Sequence, residues 1–119
     1  TDHEGRYLFR TVRPGFYAVP IDGPVGRMLR ATNRHPWRPA HFHVMLSAAG
    51  YEPLTTHLFD SEDRYLDSDA TFAVKKSLII QFISHDSRDE YAERFGIEPP
   101  FCTVEFDFVL PPAAQPARP

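Results

Sequence analysis

The stretch His41–Ala48 (HFHVMLSA) constrains the fold more than any other part of this chain. Its residues alternate, so that in an extended strand His41, His43 and Met45 share one face while Phe42, Val44 and Leu46 share the other. Gly50 closes the run. At a rise of about 3.3 Å per residue, the two histidines lie about 7 Å apart at the backbone and project to the same side. That spacing suits joint ligation of one metal ion. It equally suits two half-buried strand histidines, and the spacing alone does not choose between them.

The rest of the chain reads as strands and turns built around this one. Arg6–Val12 alternates as a strand after a polar turn at Thr1–Gly5, and Pro14-Gly15 marks the next turn. Phe16–Pro20 is short and extended. Asp22-Gly23-Pro24 signals a helix start, with Asp22 as the cap, Pro24 in the first turn, and Val25, Met28, Leu29 and Thr32 at helical spacing. Asn33–Pro39 holds two prolines and reads as a rigid loop. Leu54–Phe59 is a further strand, Asp60–Asp69 an acidic loop, and Ser77–Ser84 an apolar run expected to form a central strand. Asp86–Phe95 reads as a short charged helix stopped by Gly96, and Thr103–Leu110 as a half-buried strand. About six or more strands with one or two short helices predict an all-β fold, a β-sandwich, over residues 1–110. Residues 111–119 form a Pro/Ala-rich tail.

Ten phenylalanines and five tyrosines in 119 residues favour strands and structured loops over a helical bundle. Net charge is −3 and the basic residues do not cluster, so nucleic acid has no electrostatic footprint here. No apolar run reaches membrane-spanning length, and nothing at the start resembles a signal peptide. The lone Cys102 excludes an internal disulfide and fits a reducing, cytoplasmic setting. The chain begins at Thr1 rather than Met, as expected of a processed protein or of part of a longer one.

Two further residues bear on chemistry. Arg38 precedes His41 by three positions, and its plainest reading is a loop arginine paired to a carboxylate such as Asp22. Tyr17 reads plainly as a core strand tyrosine. As a metal ligand it would be a hard anionic donor that favours ferric iron, so a Tyr and His set points away from zinc. His35 reads as a loop-packing residue, and His3 and His85 as solvent-facing.

Taken together, several segments resemble the intradiol ring-cleaving dioxygenases. They are Gly15-Phe16-Tyr17, Ile21-Asp22-Gly23-Pro24-Val25-Gly26, Arg34-His35-Pro36-Trp37-Arg38-Pro39-Ala40-His41-Phe42-His43, Gly50-Tyr51, Tyr65-Leu66-Asp67-Ser68-Asp69-Ala70 and Phe106-Asp107-Phe108-Val109-Leu110. The resemblance implies Fe(III) held by Tyr17, His41 and His43, with Arg38 as the catalytic charge that steadies the substrate ring. It implies an aromatic diol of the catechol or hydroxyquinol type and dioxygen as reactants, cleaved between the two hydroxyls to a muconate-type product in aromatic catabolism. It places Phe72 in the substrate pocket, and His57 where a histidine looks more like the hydroxyquinol branch.

One departure stands out. The family uses a second tyrosinate several tens of residues earlier, whereas only 16 residues precede Tyr17, and Tyr7 among them reads as core. The missing ligand then falls to a preceding segment, to another chain of a homo-oligomer, or to neither in a natural minimal relative. Two other readings stand beside this one: a non-catalytic β-sandwich that keeps the motif for fold or assembly, and a cupin-like metal oxygenase. The order Tyr, Arg, His, His does not suit a cupin.

Overall fold

The computed structural model describes residues 1–114. Its strands fall into three small sheets, and two short helices connect them. The largest sheet is built on the histidine strand. β3 (His41–Leu46) pairs antiparallel with β4 (Leu54–Asp60) along its whole length, setting His41 opposite Phe59 and His43 opposite His57. Facing residues of such a pair share a side of the sheet, so both histidines lie on one face, as the alternation predicts. β4 continues on its other edge into a parallel pair with β5 (Ile79–Ile80). Phe59 is therefore flanked on both sides and fully buried, with Leu58 and Ile80 buried around it.

A second, two-stranded sheet sits at the entrance to β3. β1 (Tyr17–Ala18) pairs with β2 (Trp37–Arg38), which sets Tyr17 opposite Arg38. Aromatic contacts brace this pair: Phe16 meets Trp37 and Tyr65 edge-on, and Trp37 stacks on Tyr65 at 5.7 Å. Between β1 and β2 runs α1 (Pro24–Ala31), with Pro24 in its first turn as expected. Its N-cap is Gly23 rather than Asp22, and no side chain caps it. Only Leu29 of the expected apolar side is buried, while Val25 and Met28 are exposed. Gly26 is required, because a Cβ there would stand 1.8 Å from the Ile21 carbonyl oxygen.

The third sheet pairs β6 (Ile83–His85) with β7 (Phe101–Thr103), and α2 (Glu90–Phe95) lies between them. α2 begins at the Asp89 cap, whose side chain accepts from the Ala92 N–H, and ends at Gly96 in the left-handed conformation (φ 60°).

Four expectations need correction. Ser77–Ser84 is not one central strand: a 3₁₀ turn at Lys76–Leu78 leads into β5, the chain breaks at Gln81-Phe82, and β6 joins a different sheet. Of this apolar run only Ile80 is buried, and Ile83 in β6 is exposed. Arg6–Val12 and most of Thr103–Leu110 form no ladder, although Tyr7 donates to the Phe106 carbonyl and packs on Phe108. Tyr7 is exposed rather than core. His85 is buried rather than solvent-facing, bonded to Asp89 and Thr103 and stacked on Phe101.

Pro111–Ala114 is tied to the turn after β3: the Glu52 N–H donates to the Pro111 carbonyl and the Ala113 N–H to the Gly50 carbonyl. The remainder of the expected tail lies outside the described residues. Among those described, no helix is long and apolar enough to cross a membrane.

Candidate functional site

The β1–β2 pair and the start of β3 bring Tyr17, Arg38 and His41 together. Arg38 is 8 % exposed, which is unusual for an arginine without a partner. Its partner is Asp69, itself 3 % exposed, and not Asp22. Arg38 Nε donates to Asp69 Oδ1 at 3.1 Å and Nη2 reaches Oδ2 at 3.5 Å. The remaining terminal nitrogen, Nη1, lies 3.2 Å from the Tyr17 hydroxyl and 3.5 Å from His41 Nε2. A phenol oxygen and an imidazole nitrogen thus converge on one guanidinium corner.

The tautomer of His41 follows from its other nitrogen. Nδ1 sits 2.8 Å from the Pro39 carbonyl oxygen, which can only accept, so Nδ1 carries the hydrogen and Nε2 presents a lone pair. Histidines that ligate metals are held in this way. His43, two residues on, is exposed, and His57 lies between the two rings, 4.9 Å from His41 and 4.5 Å from His43. Phe59 backs both His41 and His57.

Electrostatics here follow from burial and charge. Burial lowers the pKa of His41, and the neighbouring Arg38 charge adds to this against the Pro39 contact. His57 is also lowered, by burial first and then by His41 and His43. Both imidazoles are therefore neutral at pH 7, the form that binds metal. Burial works against the Arg38 charge, but its bonds to Asp69 and Tyr17 outweigh that, and its pKa is raised. Burial would likewise lift the Asp69 carboxyl, yet the bonds from Arg38, Ala73 and Thr71 hold it below the usual carboxylate range.

Among the described residues, no three His, Cys, Asp or Glu side chains group to hold a metal ion. A metal at this place needs the tyrosine as well. The donor chemistry of Tyr17, His41 and His43 fits ferric iron, one hard phenolate oxygen with two imidazoles, and leaves other coordination positions to be filled.

Phe72 is not enclosed. It is 78 % exposed, has a left-handed backbone (φ 56°), and carries the Arg34 guanidinium 3.7 Å above its ring. It lines an open cavity of about 360 Å³ with Leu66, Asp67, Asp69, Val74, Lys76 and Ile79. Asp69 is the residue that sequence reasoning missed. It lies 31 positions from Arg38, and its only signal was membership of the segment Tyr65–Ala70.

Comparison with known proteins adds a second line. Residues 1–112 match the profile of a family described as dioxygenase. Hydroxyquinol 1,2-dioxygenase of Rhizobium sp. (strain MTP-10005) is 46 % identical over 110 residues, 92 % of this chain and 37 % of the relative. A 6-chlorohydroxyquinol 1,2-dioxygenase of Cupriavidus pinatubonensis is 49 % identical over 109 residues, 92 % of this chain and 35 % of the relative. The solved hydroxyquinol 1,2-dioxygenase of Pseudomonas putida DLL-E4 aligns with a TM-score of 0.77 at 48 % identity, over 85 % of this chain and 35 % of that one. Catechol 1,2-dioxygenase of Acinetobacter sp. ADP1 aligns at 0.86 and 33 % identity, over 95 % of this chain and 36 % of that one. The chain spans little more than a third of the length of these relatives. With an all-β fold shared with solved members and a profile match over nearly its whole length, the chain belongs to the intradiol ring-cleavage dioxygenases.

Proposed function

We propose that this chain forms the iron-holding part of an intradiol dioxygenase. Its substrate would be a catechol-type aromatic diol, opened with dioxygen between the two hydroxyl-bearing carbons to a muconate-type product in aromatic catabolism. The observation that carries this reading is the convergence of the Tyr17 hydroxyl and His41 Nε2 on the buried Arg38 guanidinium. Hydroxyquinol is the favoured diol, because the two curated relatives described above carry that name and His57 stands beside both histidine ligands. The single unpaired Cys102 supports a cytoplasmic setting.

Tyr17, His41 and His43 would hold the iron. Bound Fe(III) would supply Lewis acidity that favours the deprotonated diol and makes its ring reactive towards dioxygen. The chain's own residues then do three things. The Pro39 carbonyl keeps the His41 Nε2 lone pair turned to the site. Arg38 Nη1 places a fixed positive charge beside it, where negative charge builds on the ring, and a preorganised donor of this kind contributes roughly 3 kcal/mol to such steps. Phe72 contributes apolar wall to the neighbouring cavity.

The test is ferric loading followed by a visible spectrum and an oxygen-uptake screen with hydroxyquinol and catechol. Tyrosinate-to-iron charge transfer that disappears in Tyr17→Phe is the expected result. An iron-loaded Tyr17→Phe variant with the wild-type spectrum removes Tyr17 from the ligand set. Failure of every diol to consume oxygen, even at high enzyme concentration, removes the activity.

A further inference from the structure

We propose that Asp69 is a positioning residue that aims the Arg38 guanidinium at the site. The proposal rests on the reading of Arg38 as the charge that faces the diol, and it concerns what fixes that charge in place.

Arg38 stands on a strand of only two residues, and its long side chain has many rotamers open to it. The Asp69 carboxylate removes that freedom because it is itself immobile. Oδ1 accepts from the Thr71 N–H at 3.2 Å, and Oδ2 accepts from the Thr71 hydroxyl at 2.8 Å and the Ala73 N–H at 2.9 Å. Three donors of its own turn pin both oxygens independently of the arginine, so the arginine must conform to the carboxylate. A guanidinium is planar, and occupying its Nε and Nη2 edge dictates where Nη1 points. Here Nη1 points at the Tyr17 hydroxyl and His41 Nε2.

The turn is in turn fastened to the strand that carries Arg38. The Ala70 N–H donates to the Trp37 carbonyl at 3.0 Å, and Arg34 Nη2 donates to the Asp69 carbonyl at 3.0 Å. Both ends of the Arg38–Asp69 pair therefore move as one body. Stability is a poor explanation for the pair, since buried ion pairs seldom surpass the apolar residues that could replace them. Orientation is the better one: a charge that stabilises a transition state acts only from a fixed place.

The experiment is a double-mutant cycle on the ferric-loaded chain, read as affinity for 4-nitrocatechol by visible titration, beside an exchange measurement on the metal-free chain. Asp69→Asn should weaken diol binding at least tenfold in the wild-type background and less than twofold when Arg38→Ala is already present. Equal losses in both backgrounds mean that Asp69 acts on the fold and not through Arg38, and overturn the proposal. Thr71→Val removes one of the three donors that pin Asp69, so it should weaken diol binding in the wild-type background and less than twofold when Arg38→Ala is present; equal losses in both backgrounds would also overturn the proposal. Arg38→Lys keeps the charge but cannot make the fork, so it should fall within threefold of Arg38→Ala; wild-type affinity there is a further refutation. In metal-free protein the Arg38 Nε–H should exchange with solvent at least tenfold faster in Asp69→Asn, and unchanged exchange refutes the positioning by itself. Should the wild type bind iron and no diol, the functional reading fails, and the exchange measurement alone then upholds or overturns the role of Asp69.

Discussion

Replacing Phe59 by alanine tests how far the site depends on the small core beneath it. Phe59 is 0 % exposed and lies on β4 between β3 and β5, so neither neighbouring strand can move in without breaking a ladder. Phe→Ala in such a setting costs about 3–5 kcal/mol, and a cavity that cannot collapse places this case near 4 kcal/mol. Domains are stable by only about 5–15 kcal/mol. The other buried apolar residues among those described are Leu29, Pro39, Ala40, Leu58, Ala70, Ile80 and Ala92, a modest set that puts the chain near the lower bound. At an m-value of about 2 kcal/mol per M, the urea midpoint should fall by roughly 2 M. Trp37, the single tryptophan, is stacked on Tyr65 beside the site, so its fluorescence follows the transition. Because the Phe59 ring also backs His41 and His57, ferric affinity should fall in the same variant under conditions where it is still folded. Ile83→Ala, at an exposed position, is the control and should shift the midpoint little. A Phe59→Ala loss below about 1.5 kcal/mol, or unchanged iron affinity, would refute the view that this residue supports the site.

Three shorter predictions follow from the same geometry. Arg38→Ala should lower turnover at least tenfold, about 1.4 kcal/mol or more, in an oxygen-uptake assay; wild-type turnover would remove the charge role. His41→Ala should lose bound iron by metal analysis of the loaded protein, and unchanged occupancy would sink the ligand assignment. Asp69 titrates below its ordinary value in the folded chain, so its stabilising contribution is complete above the unfolded carboxyl range near pH 4 and is lost as pH falls through the folded value. Urea midpoints should therefore drop more steeply below about pH 4 in the wild type than in Asp69→Asn, and parallel curves would count against it.

Local patterning carried the parts of the fold that depend on local chemistry. β3, β4, the Pro24 start of α1 and the Gly96 end of α2 were legible because alternation, a proline and a glycine each act within a few residues. What pairs with what was not. Arg6–Val12 and 104–110 alternate as strands should, yet alternation names a face and never a partner, and these segments meet through side chains such as Tyr7, Phe106 and Phe108. Ser77–Ser84 looked like one strand because both of its halves are apolar, though each serves a different sheet. At the site, Tyr17, Arg38 and His41 were named through the family resemblance, since residue type and spacing alone left their plainer readings standing. The partner of Arg38 was misjudged in favour of the nearer Asp22, because Asp69 becomes a neighbour only once the turn at 69–73 folds back on β2. His85 was misread because it is buried only once the Asp89 cap of α2 turns back on it and β7 pairs with β6 to bring Thr103 and Phe101 against its ring.

The site is better furnished with polar groups than with walls. The chain exposes 9284 Å², against roughly 6,600 Å² for a compact protein of its 13.6 kDa. Its radius of gyration is 18.5 Å, where a compact domain of this length has about 13.5 Å. The excess reaches the chemistry directly, since Tyr17 is 46 % exposed and Phe72 stands almost free. Holding an arginine in place requires acceptors in the right places, and those are supplied by a pinned turn. Stabilising charge on a substrate ring requires in addition that water be kept away, because water screens the same charge that Arg38 supplies. Binding and turnover should therefore separate on this chain. Saturable binding of 4-nitrocatechol to the ferric-loaded protein is expected beside a turnover below about 1 s⁻¹, the bottom of the usual enzyme range. A turnover of about 10 s⁻¹ or more would show instead that the chain closes around its substrate by itself, and that the exposed faces of Tyr17 and Phe72 are covered once the diol is bound.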